Sequence, residues 1–161
     1  MNKKINKILA CVDFSDYALM VLDYSVALAK GSNTQIVVYN VINQRDVNLL
    51  EKVSPYAYAK ISVKDYVRDQ KKETEGMIKG LIKKHFFEEK SIMSFKIDVG
   101  IPYEAILETI KTENIDLVVM ANKGWENIEM VLFGNTAEKV LRHSPVPVVS
   151  VRDKKRFKKE R

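Results

Sequence analysis

Residues 117–136 read LVVMANKGWENIEMVLFGNT, an apolar run followed by two turns that each carry a glycine. The opening run, Leu117-Val118-Val119-Met120, is too short for a helix and rich in β-branched side chains. A strand buried on both faces of a parallel sheet has this composition. It stops at Ala121-Asn122-Lys123-Gly124, a small polar turn with one cation, and Gly134-Asn135-Thr136 then precedes the helical pattern of Ala137, Val140 and Leu141. A buried strand therefore feeds one glycine turn, and a second glycine opens a helix. Glycine lets the backbone come close to a ligand, and a helix N-terminus offers unpaired N–H groups at the positive end of its dipole. The residues form a candidate phosphate cradle. Glycines also serve such junctions for steric reasons alone, and residue chemistry leaves both readings open.

Outward from this stretch the same alternation repeats. Toward the N-terminus, residues 115–120 make the strand, residues 102–113 a helix entered through Pro102 and closed by Asn114, and residues 94–99 a strand of alternating polarity. Residues 64–88 read as a charged helix with Tyr66, Met77, Ile78, Leu81 and Ile82 as its apolar stripe. Between residues 43 and 63 no period is evident, and a long connection with at most a short helical turn is expected. Residues 35–42 (QIVVYNVI) form a second buried strand, and residues 5–13 (INKILACVD) the first, closed by Asp13. Between these two, a helix with Ser15 as its expected N-cap ends at Gly31-Ser32-Asn33. Beyond the glycine stretch, a helix over residues 135–143 leads to a last strand, Val146–Val151, in which Pro147 marks a sheet edge. Strict strand–helix alternation implies a parallel sheet with helices on both faces and right-handed crossovers. Ligands bind such sheets beyond the carboxyl ends of the strands, where the strand order reverses.

The 161 residues suit a single domain with a substantial core, and 46% apolar with 30% charged residues is an ordinary soluble composition. No apolar run approaches the ~18 residues of a membrane span. Asp13 ends the first apolar run at five residues, short of a signal peptide, so a cytoplasmic protein is expected. The single cysteine, Cys11, allows no internal disulfide and reads as an inert core thiol. Most of the net charge of +6 sits in residues 153–161 (DKKRFKKER), a basic tail without the interleaved aromatics of specific nucleic-acid readout.

Several motifs carry a resemblance: Asp13-Phe14-Ser15 closing the first strand, Val41 after the second, Gly100-Ile101-Pro102 before the third helix, and GNTAEKVLRHSPVPV at residues 134–148. Over about residues 4–152 the chain resembles the universal stress protein family. The resemblance implies a five-stranded parallel sheet of order 3-2-1-4-5, similar to adenine nucleotide alpha hydrolases. It also implies one domain over residues 1–152 with the basic tail over 153–161. The family's nucleotide-binding branch has glycine, two residues, glycine, nine residues, glycine, then serine or threonine. Here those positions hold Ala121, Gly124, Gly134 and Asn135, so two of them match outright. Ala121 adds a methyl, tolerable where φ stays negative, and Asn135 exchanges a hydroxyl for an amide.

By this resemblance ATP, or another adenine nucleotide with Mg²⁺, would lie against Val12, Asp13, Val41, Met120, Ala121, Lys123, Gly124, Gly134, Asn135 and Thr136. Asp13 would stand near the ribose or adenine, and the backbone of Val41 would read the adenine edge. The resemblance further implies a homodimer paired through the Val146–Val151 edge strand, which signals nucleotide occupancy to a protein partner. The competing expectation is a nucleotide-free dimeric interaction protein of the same fold, favoured by Ala121 and Asn135. A phosphorelay receiver fits poorly, since Asp98 falls one residue short of its strand's end and the last strand ends in Arg152. A flavin binder fits poorly too, since Asp13-Phe14-Ser15-Asp16 is no glycine- and hydroxyl-rich phosphate turn. The histidines, His85 and His143, lie at or near helix C-termini, where imidazole complements the dipole; any turnover of nucleotide would be slow hydrolysis at most.

Overall fold

The computed structural model describes residues 4–56, 62–122 and 135–152. Five parallel strands form one sheet in the order β3-β2-β1-β4-β5: β1 Lys7–Cys11, β2 Gln35–Asn43, β3 Met93–Gly100, β4 Leu117–Ala121 and β5 Val148–Val151. The helices are α1 Ala18–Ala29, α2 Gln44–Val53, α3 Val63–His85, α4 Pro102–Thr112 and α5 Asn135–His143. The expected sheet class and strand order are present.

The central strands are apolar on both faces because each face meets a helical layer. From β1 and its continuation, Ile8, Ala10 and Val12 point into a core shared with Val21 and Leu22 of α1, Ile78 of α3, Val119 and Val151. Leu9 points the other way, toward Tyr39, Ile106 and Ile110 of α4, Val118, Met120 and Val140 of α5. Side chains alternate across a strand, so one unbroken apolar run supplies both cores.

Four local expectations are corrected. Ser15 does not cap α1; Tyr17 occupies the N-cap without a side-chain bond, while Ser15 accepts from the Tyr17 amide at 3.4 Å. The cause lies one residue earlier, where Phe14 takes φ 58° and turns the chain before the helix begins. The presumed connection after β2 holds α2, whose N-cap Asn43 accepts from the Arg45 amide at 3.0 Å. Only Val47 is buried along it, so no apolar period showed in the sequence. In α3 Ile78 is buried, with Leu81 and Ile82 packed part-buried against the same core, but Met77 is exposed and Thr74 is buried in its stead, and the helix stops where Phe86 turns into the core. Finally, β5 starts at Val148 rather than Val146, because Ser144 holds a turn by accepting from the Val146 amide (3.2 Å) and donating to its carbonyl (2.8 Å).

Candidate functional site

The floor of the site follows from the ladder. The last β1–β4 pair is Cys11 with Met120. One residue on, the Val12 amide donates to the Tyr39 carbonyl of β2 at 2.9 Å, whereas the Asn122 amide donates to the Val151 carbonyl of β5 at 3.2 Å. The two central strands thus turn their hydrogen bonds away from each other. A crevice opens between them where the strand order reverses, at β1 and β4.

This crevice is one cleft of about 1500 Å³, and every described candidate residue lines it: Val12, Asp13, Val41, Met120, Ala121, Asn135 and Thr136. Elements far apart in sequence converge there because each is the C-terminal end of a strand or the N-terminal turn of a helix. Lys123, Gly124 and Gly134, together with Trp125 and the 153–161 tail, lie outside the described residues.

Each wall has a local cause. On the β1 side, Asp13 accepts from the Ser15 amide at 3.0 Å, closing a tight turn around the left-handed Phe14. A phenylalanine in that backbone region is uncommon and costly, and strain of this kind concentrates where a turn has a task. The turn presents Asp13 exposed at the cleft. On the β2 side, the Tyr39 carbonyl bonds toward β1. Strand alternation turns the amide and carbonyl of Val41 to that same side, beyond the end of β1 at Cys11. On the β4 side, Ala121 ends a regular strand, and among the described residues positive φ outside glycine occurs only at Phe14 and Asn114. The extra methyl of Ala121 is therefore carried without backbone strain. Opposite it, α5 begins at Asn135, so its first-turn amides face the cleft.

Two polar groups that the sequence reading passed over complete the walls. Asn40 donates from Nδ2 to the Val12 carbonyl at 2.8 Å, tying β2 to the end of β1 beyond the ladder. Its signal was legible: one amide inside QIVVYNVI has to find a partner. Tyr39, almost wholly buried, donates to Asp98 Oδ2 at 2.8 Å and accepts from Thr109 Oγ1 at 3.0 Å. Burial, with a smaller part from the carboxylate of Asp98, raises its pKa well above the usual tyrosine value. Cys11 lines the cleft floor, but burial pushes its thiol up to about 12, in keeping with an inert side chain. Both histidines are exposed at helix C-termini, His85 on α3 and His143 on α5, and neither lines the cleft.

A doubly wound parallel sheet, with an open crevice at the reversal of its strand order, defines a protein of the doubly wound α/β class. Within that class the chain belongs to the universal stress protein family, whose sequence model matches residues 4–152. It is 26% identical over 161 residues to universal stress protein MJ0577 of Methanocaldococcus jannaschii, covering 96% of this chain and 99% of that one. The solved structure of MJ0577 superimposes with a TM-score of 0.77 at 24% identity, over 93% of this chain and 97% of that one. A universal stress protein solved in complex with cAMP is similar at TM-score 0.59 and 18% identity, covering 92% of this chain and 98% of that chain. Another, from Archaeoglobus fulgidus in complex with dAMP, gives TM-score 0.54 and 16% identity over the same shares. No described helix is long and apolar enough to cross a membrane.

Proposed function

We propose that this chain binds an adenine nucleotide, ATP with Mg²⁺ in the first instance, in the cleft at the C-terminal strand ends. The observation that carries this reading is the convergence of Val12, Asp13, Val41, Met120, Ala121, Asn135 and Thr136 on one crevice at the point of strand reversal. The base edge meets the backbone of Val41, which offers one donor and one acceptor to an aminopyrimidine ring. Asp13 meets the ribose, and the phosphates meet the first turn of α5, with Gly124, Gly134 and Lys123 completing the cradle. Complexes of family members with cAMP and dAMP support an adenine ligand. Mg²⁺ would arrive with the phosphates, and Asp13, exposed at the cleft, is one of the carboxylates there that would meet it. The protein acts in the cytoplasm, as a homodimer paired through the strand around Val148–Val151, and occupancy alters the surface offered to a protein partner.

A nucleotide-free interaction protein of the same fold is favoured by one observation, the replacement of motif residues by Ala121 and Asn135. Chromatography of whatever nucleotide co-purifies, followed by calorimetric titration with Mg-ATP, separates the two. The expected result is co-purified nucleotide or micromolar ATP binding, abolished in Gly124→Val and in Gly134→Val. Absence of binding at millimolar ATP refutes the nucleotide reading and moves the search to the dimer surface.

A further inference from the structure

We infer that Lys139, held in place by the ring of Tyr103, makes the cleft select a nucleoside triphosphate over a monophosphate; the inference rests on the nucleotide reading above. Lys139 stands on α5 four residues after Asn135, so the two share a helix face, and both line the cleft. The Lys139 side chain reaches from α5 across to α4. Its Nζ lies 4.4 Å from the centroid of Tyr103, a residue from the first turn of α4 that also lines the cleft. The ring is itself fixed, since the Tyr103 hydroxyl donates to Glu104 at 2.8 Å. That hydrogen bond raises the Tyr103 pKa, and the electron-rich face of the ring meets the cation.

Two further facts make this cation available to an anion. The neighbouring carboxylate, Glu138, is taken by Arg142 at 2.8 Å, and among the described residues Lys139 has no ion-pair partner. The other described cations lining the cleft, Arg45 and Lys52, belong to α2, which follows β2 on the far side of β1 from β4. Among the described residues, Lys139 is thus the cleft cation on the α5 side, one turn beyond Asn135. A phosphate chain that starts near Ala121 and passes the α5 N-terminus reaches the ammonium only with its outer phosphates. A monophosphate stops short.

The test is calorimetric titration of Mg-ATP and of AMP into the wild type, Lys139→Gln, Lys139→Arg, Tyr103→Phe and Tyr103→Leu. One charge-assisted contact predicts that Lys139→Gln lowers the ATP-to-AMP affinity ratio about tenfold. Lys139→Arg and Tyr103→Phe, which keep cation and ring, should hold the ratio near that of the wild type. Tyr103→Leu, which frees the ammonium, should lower it about threefold. An unchanged ratio in Lys139→Gln, or equal losses for both nucleotides, overturns the inference while leaving the nucleotide reading intact. A wild type that binds neither nucleotide overturns both.

Discussion

Replacing Tyr39 by phenylalanine removes one buried oxygen and leaves the ring in place. The ring remains packed against the α4 face of the sheet, so the cavity contribution is small. What is lost is the hydrogen bond to Asp98 at 2.8 Å and the acceptor for Thr109 at 3.0 Å, whose hydroxyl is left buried without that partner. A bond to a charged acceptor plus one stranded hydroxyl amounts to about 2 kcal/mol. For a chain of this size that is a fall of about 4–8 °C in thermal midpoint. The pH dependence gives the stricter check. The folded-state pKa of Tyr39 lies above its unfolded value near 10, so above that pH the unfolded chain binds fewer protons than the native one. The stabilisation is complete below pH ~10 and is lost as pH rises, with a slope of at most about 1.4 kcal/mol per pH unit. Denaturant titrations of the wild type and Tyr39→Phe at pH 7, 9, 10 and 11 should show a constant gap up to pH 9 and a narrowing gap above 10. Cys11 titrates in both proteins and largely cancels in the difference. A gap that is absent at pH 7, or that widens with alkali, would refute the argument.

Further outcomes concern other parts of the chain. Gly31 adopts φ 77° just after the C-cap of α1 with open space around it; Gly31→Ala should cost about 1 kcal/mol by backbone strain alone, read as a lower denaturant midpoint with unchanged slope. Val140 is fully buried on α5; Val140→Ala should cost about 2 kcal/mol and weaken nucleotide binding only through loss of folded protein, which thermal melts with and without ATP will separate. Asn40→Ala should weaken nucleotide affinity severalfold by releasing the Val12 carbonyl it holds at 2.8 Å, measurable by the same calorimetry. Deleting residues 153–161 should leave nucleotide affinity and sedimentation behaviour unchanged; a shift in either would make the tail structural.

How much was readable beforehand depended on how strongly burial constrained each segment. Strands β1, β2 and β4 announced themselves because both faces are covered, which forces unbroken apolar runs at Ile8-Leu9-Ala10, Ile36-Val37-Val38 and Leu117–Met120. Helix α5 was bounded correctly because its sequence is amphipathic and its entry is marked by Gly134-Asn135. Helix α2 went unread because it buries Val47 alone, although Asn43 and the acid at Asp46 are ordinary N-terminal signals. The start of β5 was misplaced because Val146 and Pro147 look like strand residues, while the serine hydroxyl that bends them acts through space. For the site, Asp13 and Asn135 were legible from their places at strand and helix ends. The pairing of Tyr103 with Lys139 was not, since it joins residues thirty-six apart in sequence through the packing of α4 on α5.

The parting of hydrogen bonds at the cleft floor limits how the molecule can register a ligand. With the Val12 amide committed to β2 and the Asn122 amide committed to β5, β1 and β4 already part at the cleft floor without a ligand between them. A ligand entering there has no β1–β4 ladder hydrogen bond to break. What a ligand would touch above the floor is the rim, formed by the turn around Phe14 and the first turns of α4 and α5. On the nucleotide reading proposed above, a partner that senses occupancy would meet that rim, on the same side of the molecule as the cleft, rather than the opposite ends of the strands.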